Sequence, residues 1–175
     1  MLRAYLPWIM FVVCAIYPRA CFATTYKDVQ IGMRVMNFLV NPPPSRSSVA
    51  IFFDLRSKES QDDAQKIMDW FSADSDAAKT DLIPLLVDVR GLESAVGVRV
   101  GFVADAMEAH YPAILEFAKR NGVLTISSDL SCVRSGKCMV RVSSASRVEV
   151  IVNRQVSEES GVNFTEAFRM MISEY

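Results

Sequence analysis

Apolar side chains recur along the chain with two different periods, which predicts that helices and strands alternate. Segments with apolar residues at three- and four-residue spacings have the period of a helix that buries one face. These predicted helices cover residues 28–40, 61–71, 108–121 and 164–172. Short, nearly continuous apolar runs predict strands over residues 49–53, 82–89, 98–103, 123–126, 139–142 and 148–152.

The order of these elements predicts the fold class. Strands that alternate with helices favour an α/β three-layer sandwich, with a mostly parallel sheet and helices on both faces. Only a Ser-rich turn separates the last two predicted strands, which predicts a late antiparallel hairpin. Residues 72–80, rich in Ser, Asp and Ala, predict an exposed loop before the second strand.

The first 23 residues have the parts of a secretory signal peptide. Arg3 gives a positive start, residues 6–16 form an apolar run broken only by Pro7, and Cys21 and Ala23 are small residues at the −3 and −1 positions of a cleavage site. The apolar run is shorter than the roughly 18 residues of a membrane-spanning helix, so an uncleaved anchor is less favoured, and lipidation at Cys21 is less favoured still. We therefore expect an exported protein, cleaved after Ala23.

Cleavage would leave residues 24–175, a length typical of a single domain. Loss of Arg3 and Arg19 leaves 17 of the 19 basic residues against 20 acidic ones, a formal charge of −3. The chain has no run of Lys and Arg. Without a basic patch there is little counterion release to drive phosphate binding, so we expect no nucleic-acid partner.

The interpretation of the cysteines depends on the predicted export. Cys14 and Cys21 leave with the signal, whereas Cys132 and Cys138 remain. A pair of cysteines in an oxidising compartment favours a disulfide, which would close a short loop and contribute roughly 2 kcal/mol. Free or redox-switching thiols are the alternative. A metal site is disfavoured, because one Cys pair and a single histidine, His110, do not supply four zinc ligands.

Polar residues follow several of the predicted strands. Asp54, Asp105 and Asp129 each come after an apolar run, and Ser127 and Ser128 precede the last of them. The carboxyl ends of parallel strands lie at one edge of the sheet, where α/β folds bind ligands, so these side chains predict a crevice for a ligand or partner. The competing interpretation is that the aspartates cap the helices and turns that follow.

The sequence offers little catalytic machinery. His110 lies on a predicted helix, and no recognisable nucleophile stands beside it. Neither a Gly-x-Ser-x-Gly elbow nor a Gly-x-x-x-x-Gly-Lys-Ser/Thr phosphate loop occurs. We therefore expect a protein that is not an enzyme and needs no cofactor.

A series of short patterns in a fixed order carries a resemblance to a known family. The patterns lie at residues 28–42, where a helix ends before Pro, and at 98–105, 122–129, 135–140, 148–153 and 161–171. In this order they resemble the YfiR/HmsC-like family of small periplasmic regulatory proteins. The resemblance implies a periplasmic, non-enzymatic regulator that binds and represses the periplasmic part of an inner-membrane diguanylate cyclase, limiting cyclic-di-GMP signalling and biofilm. It also implies a homodimer.

A second function is compatible with the same pattern of elements. The chain would then be a periplasmic receptor for a small ligand, related to one lobe of a transporter substrate-binding protein. In that case the crevice at the strand ends would hold the ligand.

Overall fold

The computed structural model describes residues 24–73 and 82–175. The predicted signal peptide at 1–23 and residues 74–81, which include most of the predicted loop at 72–80, lie outside the described residues. The first two residues of that predicted loop, Ser72 and Ala73, are the last turn of a helix.

Strands and helices alternate through most of the described chain. The strands are β1 (Ser48–Phe53), β2 (Ile83–Asp88), β3 (Val100–Val103), β4 (Leu124–Ser127), β5 (Val140–Ser143), β6 (Glu149–Val152) and β7 (Ser173–Glu174). The α-helices are α1 (Tyr26–Met36), α2 (Lys58–Ala73), α3 (Tyr111–Asn121), α4 (Leu130–Arg134), α5 (Arg154–Glu159) and α6 (Glu166–Arg169). Short 3-10 turns cover Val89–Ser94 and Glu108–His110.

The described strands form one sheet in the order β2-β1-β3-β4-β5-β6-β7. All neighbours are parallel except β5 and β6, which form the predicted antiparallel pair. The predicted α/β fold class is thus confirmed. The chain passes from β1 outward to β2 and then returns to the other side of β1 to form β3, so strand order reverses between β1 and β3. In open α/β sheets this switch point is where a crevice forms.

Helices cover both faces of the sheet. Phe102 on β3 packs edge to face against Phe71 of α2, with ring centroids 5.4 Å apart. Phe52 on β1 packs in the same way against Phe117 of α3, at 5.8 Å. Phe52 pairs with Val103 in the parallel register, and neighbouring residues of a strand point to opposite faces, so the two phenylalanines lie on opposite sides. This arrangement confirms the three predicted layers.

The two predicted terminal helices are shorter than the sequence indicates. α1 ends at Met36, because Leu39 forms a β-bridge with Phe164 and the Val40 N–H donates to the Asn163 carbonyl. The helix predicted over 164–172 is wrong for most of its length. It is reduced to α6, since the residues before it pair with the chain that follows α1 and Ser173 to Glu174 pair with β6.

Two short helices and a 3-10 turn were not predicted. α4 begins at an N-cap made by Asp129, and α5 begins at one made by Asn153. The 3-10 turn after β2 begins at an N-cap made by Asp88, so β2 ends one residue before the prediction. Each is too short to show a helical period, and the cap is the only local signal for it.

Cys132 and Cys138 form the predicted disulfide. Their Cα atoms are 5.2 Å apart, and both residues are fully buried. The bond ties α4 to the residue that leads into β5. Gly136 lies between them with a φ of 68°, a left-handed conformation that glycine adopts without strain. The disulfide therefore holds a tight turn beside the carboxyl end of β4.

Candidate functional site

The residues that follow β1, β3 and β4 meet at one edge of the sheet, as their order predicts. They form two groups at different depths. The rim cluster consists of Asp54, Asp88, Arg90 and His110 and is partly open to solvent. The buried acid cluster consists of Thr24, Asp63, Asp105 and Ser128, all less than a tenth exposed.

In the rim cluster, Asp54 joins groups from two other elements. Its Oδ2 lies 3.1 Å from Nε2 of His110, just before α3, and its Oδ1 lies 3.7 Å from an Nη of Arg90, just after β2. Arg90 in turn makes two hydrogen bonds to Asp88, at 3.1 and 2.7 Å. The cluster therefore stands at the switch point, on the ends of β2 and β1 and at the start of α3.

The Asp54 carboxylate is held in its charged form. The Arg56 N–H donates to Oδ1 at 2.9 Å, and this hydrogen bond, together with His110 and Arg90, keeps the pKa of Asp54 below its usual value. The side chains of Asp54, His110 and Arg90 are 15%, 29% and 36% exposed. A partly exposed rim with a carboxylate, an imidazole and a guanidinium can bind groups of either charge on a small molecule.

The buried acid cluster is a chain of hydrogen bonds. Oδ2 of Asp63, from α2, accepts from the Thr24 hydroxyl at 3.0 Å and from the Asp105 N–H at 3.1 Å. The Ser128 hydroxyl donates to Asp105 Oδ1 at 3.4 Å and lies 3.1 Å from the Thr24 hydroxyl. Thr24 therefore fills the space between the ends of β3 and β4 and the first turns of α2.

Burial controls the protonation of the two carboxyl groups. Burial, reinforced by the nearby charge of Asp63, raises the pKa of Asp105 to about 7. Burial also raises the pKa of Asp63, against the opposing effect of its hydrogen bonds from Asp105 and Thr24. Two buried carboxyl groups this close favour states in which at least one of them keeps its proton.

Asp129 and Ser127 have local structural contacts. Asp129 caps α4 by accepting from the Ser131 N–H at 2.7 Å, and it accepts the Tyr111 hydroxyl at 2.5 Å. Burial opposes ionisation of Asp129, but the hydrogen bonds from Ser131 and Tyr111 outweigh it and lower the pKa. Burial and the bond to Asp129 raise the pKa of Tyr111. Ser127 is buried and accepts the Asp129 N–H at 3.1 Å.

Four contributors were not singled out from the sequence: Thr24, Asp63, Asp88 and Arg90. Asp63 had a usable signal, because it lies on the apolar stripe of α2 beside Ala64, where a polar residue is unusual. Arg90 could have been found by extending the strand-end argument to β2. Thr24 has no local signal, since its partners are 39 and 104 residues away in the sequence.

In the described parts of the chain, no group of three or more His, Cys, Asp or Glu side chains is placed to hold a metal ion. The same residues include no helix with the length and apolar content needed to cross a membrane.

Comparisons with known proteins show that the fold of this chain is similar to that of several solved structures. No protein-family model and no curated protein matches the chain. One similar solved structure is the ligand-free, open form of a substrate-binding protein with adhesive properties from Clostridium difficile. Its TM-score is 0.64 and its sequence identity is 12%. The match covers 88% of this chain and 60% of that protein's chain. An ABC domain in complex with L-Trp from Streptococcus pneumoniae has a TM-score of 0.60 and 12% identity, over 84% and 60%.

A third similar structure is a conserved domain protein from Vibrio cholerae, with a TM-score of 0.61 and 11% identity, over 85% of this chain and 59% of its own. This chain therefore spans about three-fifths of the length of the structures it matches. At these identities the likeness shows the fold alone.

Proposed function

We propose that this chain is an exported, non-enzymatic binding module that holds a small polar ligand at the rim cluster. The observation that carries the proposal is the position of Asp54, Arg90 and His110, partly exposed, at the switch point between β1 and β3. In open α/β sheets ligands bind outside the carboxyl ends of the strands at this point. The fold likeness to a substrate-binding protein supports the same function.

The charges of the rim cluster indicate the class of ligand. Arg90 presents a guanidinium that suits a carboxylate, and Asp54 presents a carboxylate that suits an ammonium group. A zwitterion such as an amino acid carries both partners at a short separation. The similar domain in complex with L-Trp supports amino acids as the first class to test.

The proposal predicts a thermal shift with a member of an amino-acid panel that includes L-tryptophan. A ligand at 100 times its dissociation constant stabilises a protein by about 2.7 kcal/mol, which raises the melting temperature by about 8 °C in a domain of this size. Asp54→Asn is expected to lose most of the shift, because it removes the anionic partner. The measurement is a melting curve for each compound.

Asp62→Asn is the matched control for that experiment. Asp62 is an exposed residue of α2 that pairs with Lys58 and makes none of the ion pairs of the rim cluster. This variant should keep the full shift. The proposal fails if no compound of the panel raises the melting temperature, or if Asp54→Asn responds as strongly as Asp62→Asn.

A second candidate function is the partner-binding regulator of an inner-membrane diguanylate cyclase. The observation that favours it is β2, which lies at the edge of the sheet. Ile83, Leu85 and Leu86 of this strand are 49%, 40% and 42% exposed, so apolar side chains are open on both faces. An exposed apolar edge strand is a site where another chain can pair.

If the chain is such a regulator, a membrane partner should co-purify with it. The tagged mature protein is used to co-purify proteins from detergent-solubilised inner membranes, followed by mass spectrometry. Recovery of a diguanylate cyclase that is lost with Leu85→Lys is the expected result, because the charge opposes pairing at β2. The regulator is ruled out if no such enzyme is recovered, or if the variant recovers it equally well.

A further inference from the structure

Thr24 occupies an unusual position for a residue next to a predicted cleavage site. It is 7% exposed, and its hydroxyl contacts both Asp63 and Ser128. Its backbone N–H also interacts with the Asp63 carboxylate, and this interaction is the smallest of those that lower the pKa of Asp63. That nitrogen belongs to the Ala23–Thr24 peptide bond, so it has a single proton in a fixed direction.

The Asp63 carboxylate beside it is incompletely satisfied. Asp63 is 3% exposed, and within the described residues no group donates a well-formed hydrogen bond to its Oδ1. The Asp105 N–H reaches only Oδ2, which the Thr24 hydroxyl also uses. A second buried carboxyl group, that of Asp105, lies next to this one. A buried oxygen without a donor and two adjacent carboxyl groups both point to a missing cation.

We propose that the mature protein begins at Thr24 and that its new α-ammonium group binds Asp63 and Asp105 as the cation of a buried ion pair. Cleavage adds one water across the Ala23–Thr24 amide. The C–N bond breaks, the hydroxyl of water joins the carbonyl carbon of Ala23, and the Thr24 nitrogen leaves as an amine that takes up a proton. The step needs only water and a peptidase of the export pathway.

The ammonium group supplies what the amide lacks. It carries a full charge and three donors that rotate about the N–Cα bond, so one of them can reach Asp63 Oδ1 while another faces Asp105. The other charged groups near this site are Lys66 and Glu59 from α2, Asp129 after β4, and Asp28 from α1, which lines the same small cavity as Thr24. Arg141 of β5 donates to the Ser128 carbonyl and is paired with Glu149. Acidic groups predominate among them, so the surroundings favour a cation.

The inference makes the stability of the fold depend on cleavage. In the cleaved chain the ammonium group has a raised pKa, so its contribution is complete below the usual value of about 8 and is lost as pH rises through the higher folded value. With Thr24 still in a peptide bond that contribution is absent at every pH. The cleaved chain is therefore the more stable form at neutral pH.

The test begins with the exported protein, whose N-terminus is read by sequencing and intact mass. Thr24 is the expected first residue, and any other first residue overturns the inference. Two further chains are then compared with it, one extended by Gly-Ser before Thr24 and one acetylated on the Thr24 nitrogen. Both should melt about 5 °C lower than the mature chain at pH 7, because neither has an ammonium group at the site.

Substitutions assign the effect to the buried pair. In Asp63→Asn the mature and extended chains should melt alike, since the principal anion is gone. Asp62 is the preceding residue of α2, and its side chain is 54% exposed, so in Asp62→Asn the full difference should persist. The interaction is measured by the difference of differences, so a general loss of stability in Asp63→Asn does not hide it.

An NMR titration gives a readout that does not depend on the variants folding equally well. The Thr24 α-amine is expected to titrate at least about one pH unit above its usual pKa of about 8. The inference is overturned if this amine titrates at its usual value, or if the mature and extended chains of wild type melt at the same temperature.

Discussion

Gly101→Ala is expected to lower the free energy of unfolding by about 3 kcal/mol. A Cβ at position 101 would lie 2.2 Å from Cε2 and 2.8 Å from Cζ of Phe52, on the neighbouring strand. Phe52 is fully buried and packs against Phe117, so its ring has little room to move. The methyl group therefore forces either the ring out of its rotamer or β1 away from β3. Urea unfolding gives the size of the loss.

Gly91→Ala is the matched control. A Cβ at position 91 meets nothing closer than the Ser94 hydroxyl at 4.0 Å, so this variant should differ from wild type by less than about 0.5 kcal/mol. Phe52→Leu combined with Gly101→Ala should cost less than the two single changes together, because the smaller side chain leaves room for the methyl group. If Gly101→Ala unfolds like Gly91→Ala, the close packing of β1 on β3 is wrong.

The central strands were predictable because their signal is local. β3 and β4 are buried along their length and β1 is buried at its four central residues, and a strand buried on both faces is a continuous apolar run in the sequence. The disulfide was predictable for a different reason, since cleavage of the predicted signal peptide would leave Cys132 and Cys138 as the only cysteines.

The chain ends were not predictable from periodicity, because long-range pairing overrides it there. Phe164 and Phe168 have the spacing of a helix face, but Phe164 is bridged to Leu39 and Phe38 stacks on Phe168 at 4.7 Å. These contacts join segments more than 120 residues apart. A local pattern does not carry that information, so the predicted helix extended too far at both ends.

The candidate site was likewise predictable only in part. The edge of the sheet followed from strand order, which placed Asp54, Asp105 and Asp129 correctly on one side. How deeply these side chains are buried could not be predicted, because it depends on the side chains that α2 and Thr24, two residues before α1, place at that edge. Asp63 and Thr24 cover Asp105, while Asp54 stays at the rim. Sequence order predicts which side chains share an edge, and packing decides which of them a ligand can reach.

Asp105→Asn is expected to remove most of a pH-dependent loss of stability in a chain that retains residues before Thr24. Burial raises the pKa of Asp105 to about 7 in the folded state, against about 3.9 in the unfolded chain. The folded state therefore binds a proton that the unfolded state has released. Its stabilising effect is complete below about pH 4 and is lost as pH rises to 7, a loss of up to about 4 kcal/mol. Asparagine has no such proton.

Urea unfolding of the extended chain at several pH values between 4 and 8 measures this effect. Wild type and Asp105→Asn should be close at pH 4, and the variant should be the more stable by up to about 4 kcal/mol at pH 8. Asp54 and Asp129, whose pKa values are lowered, change stability in the opposite direction as pH rises, whereas Asp63, whose pKa burial raises, changes it in the same direction as Asp105. All three carboxyl groups are present in both chains. A constant difference between the two chains at every pH would refute the raised pKa.

The same substitution should act differently once Thr24 carries a free ammonium group. The cation favours the ionised form of Asp105, so the folded pKa falls and little stability is lost between pH 4 and 7. Asparagine at position 105 then removes a charge that the ammonium group needs. Asp105→Asn is therefore expected to stabilise the extended chain at pH 8 and to destabilise the mature chain at pH 7. A change of sign between two chains that differ only before Thr24 is not expected from a local change in packing, so it identifies the ion pair as the cause.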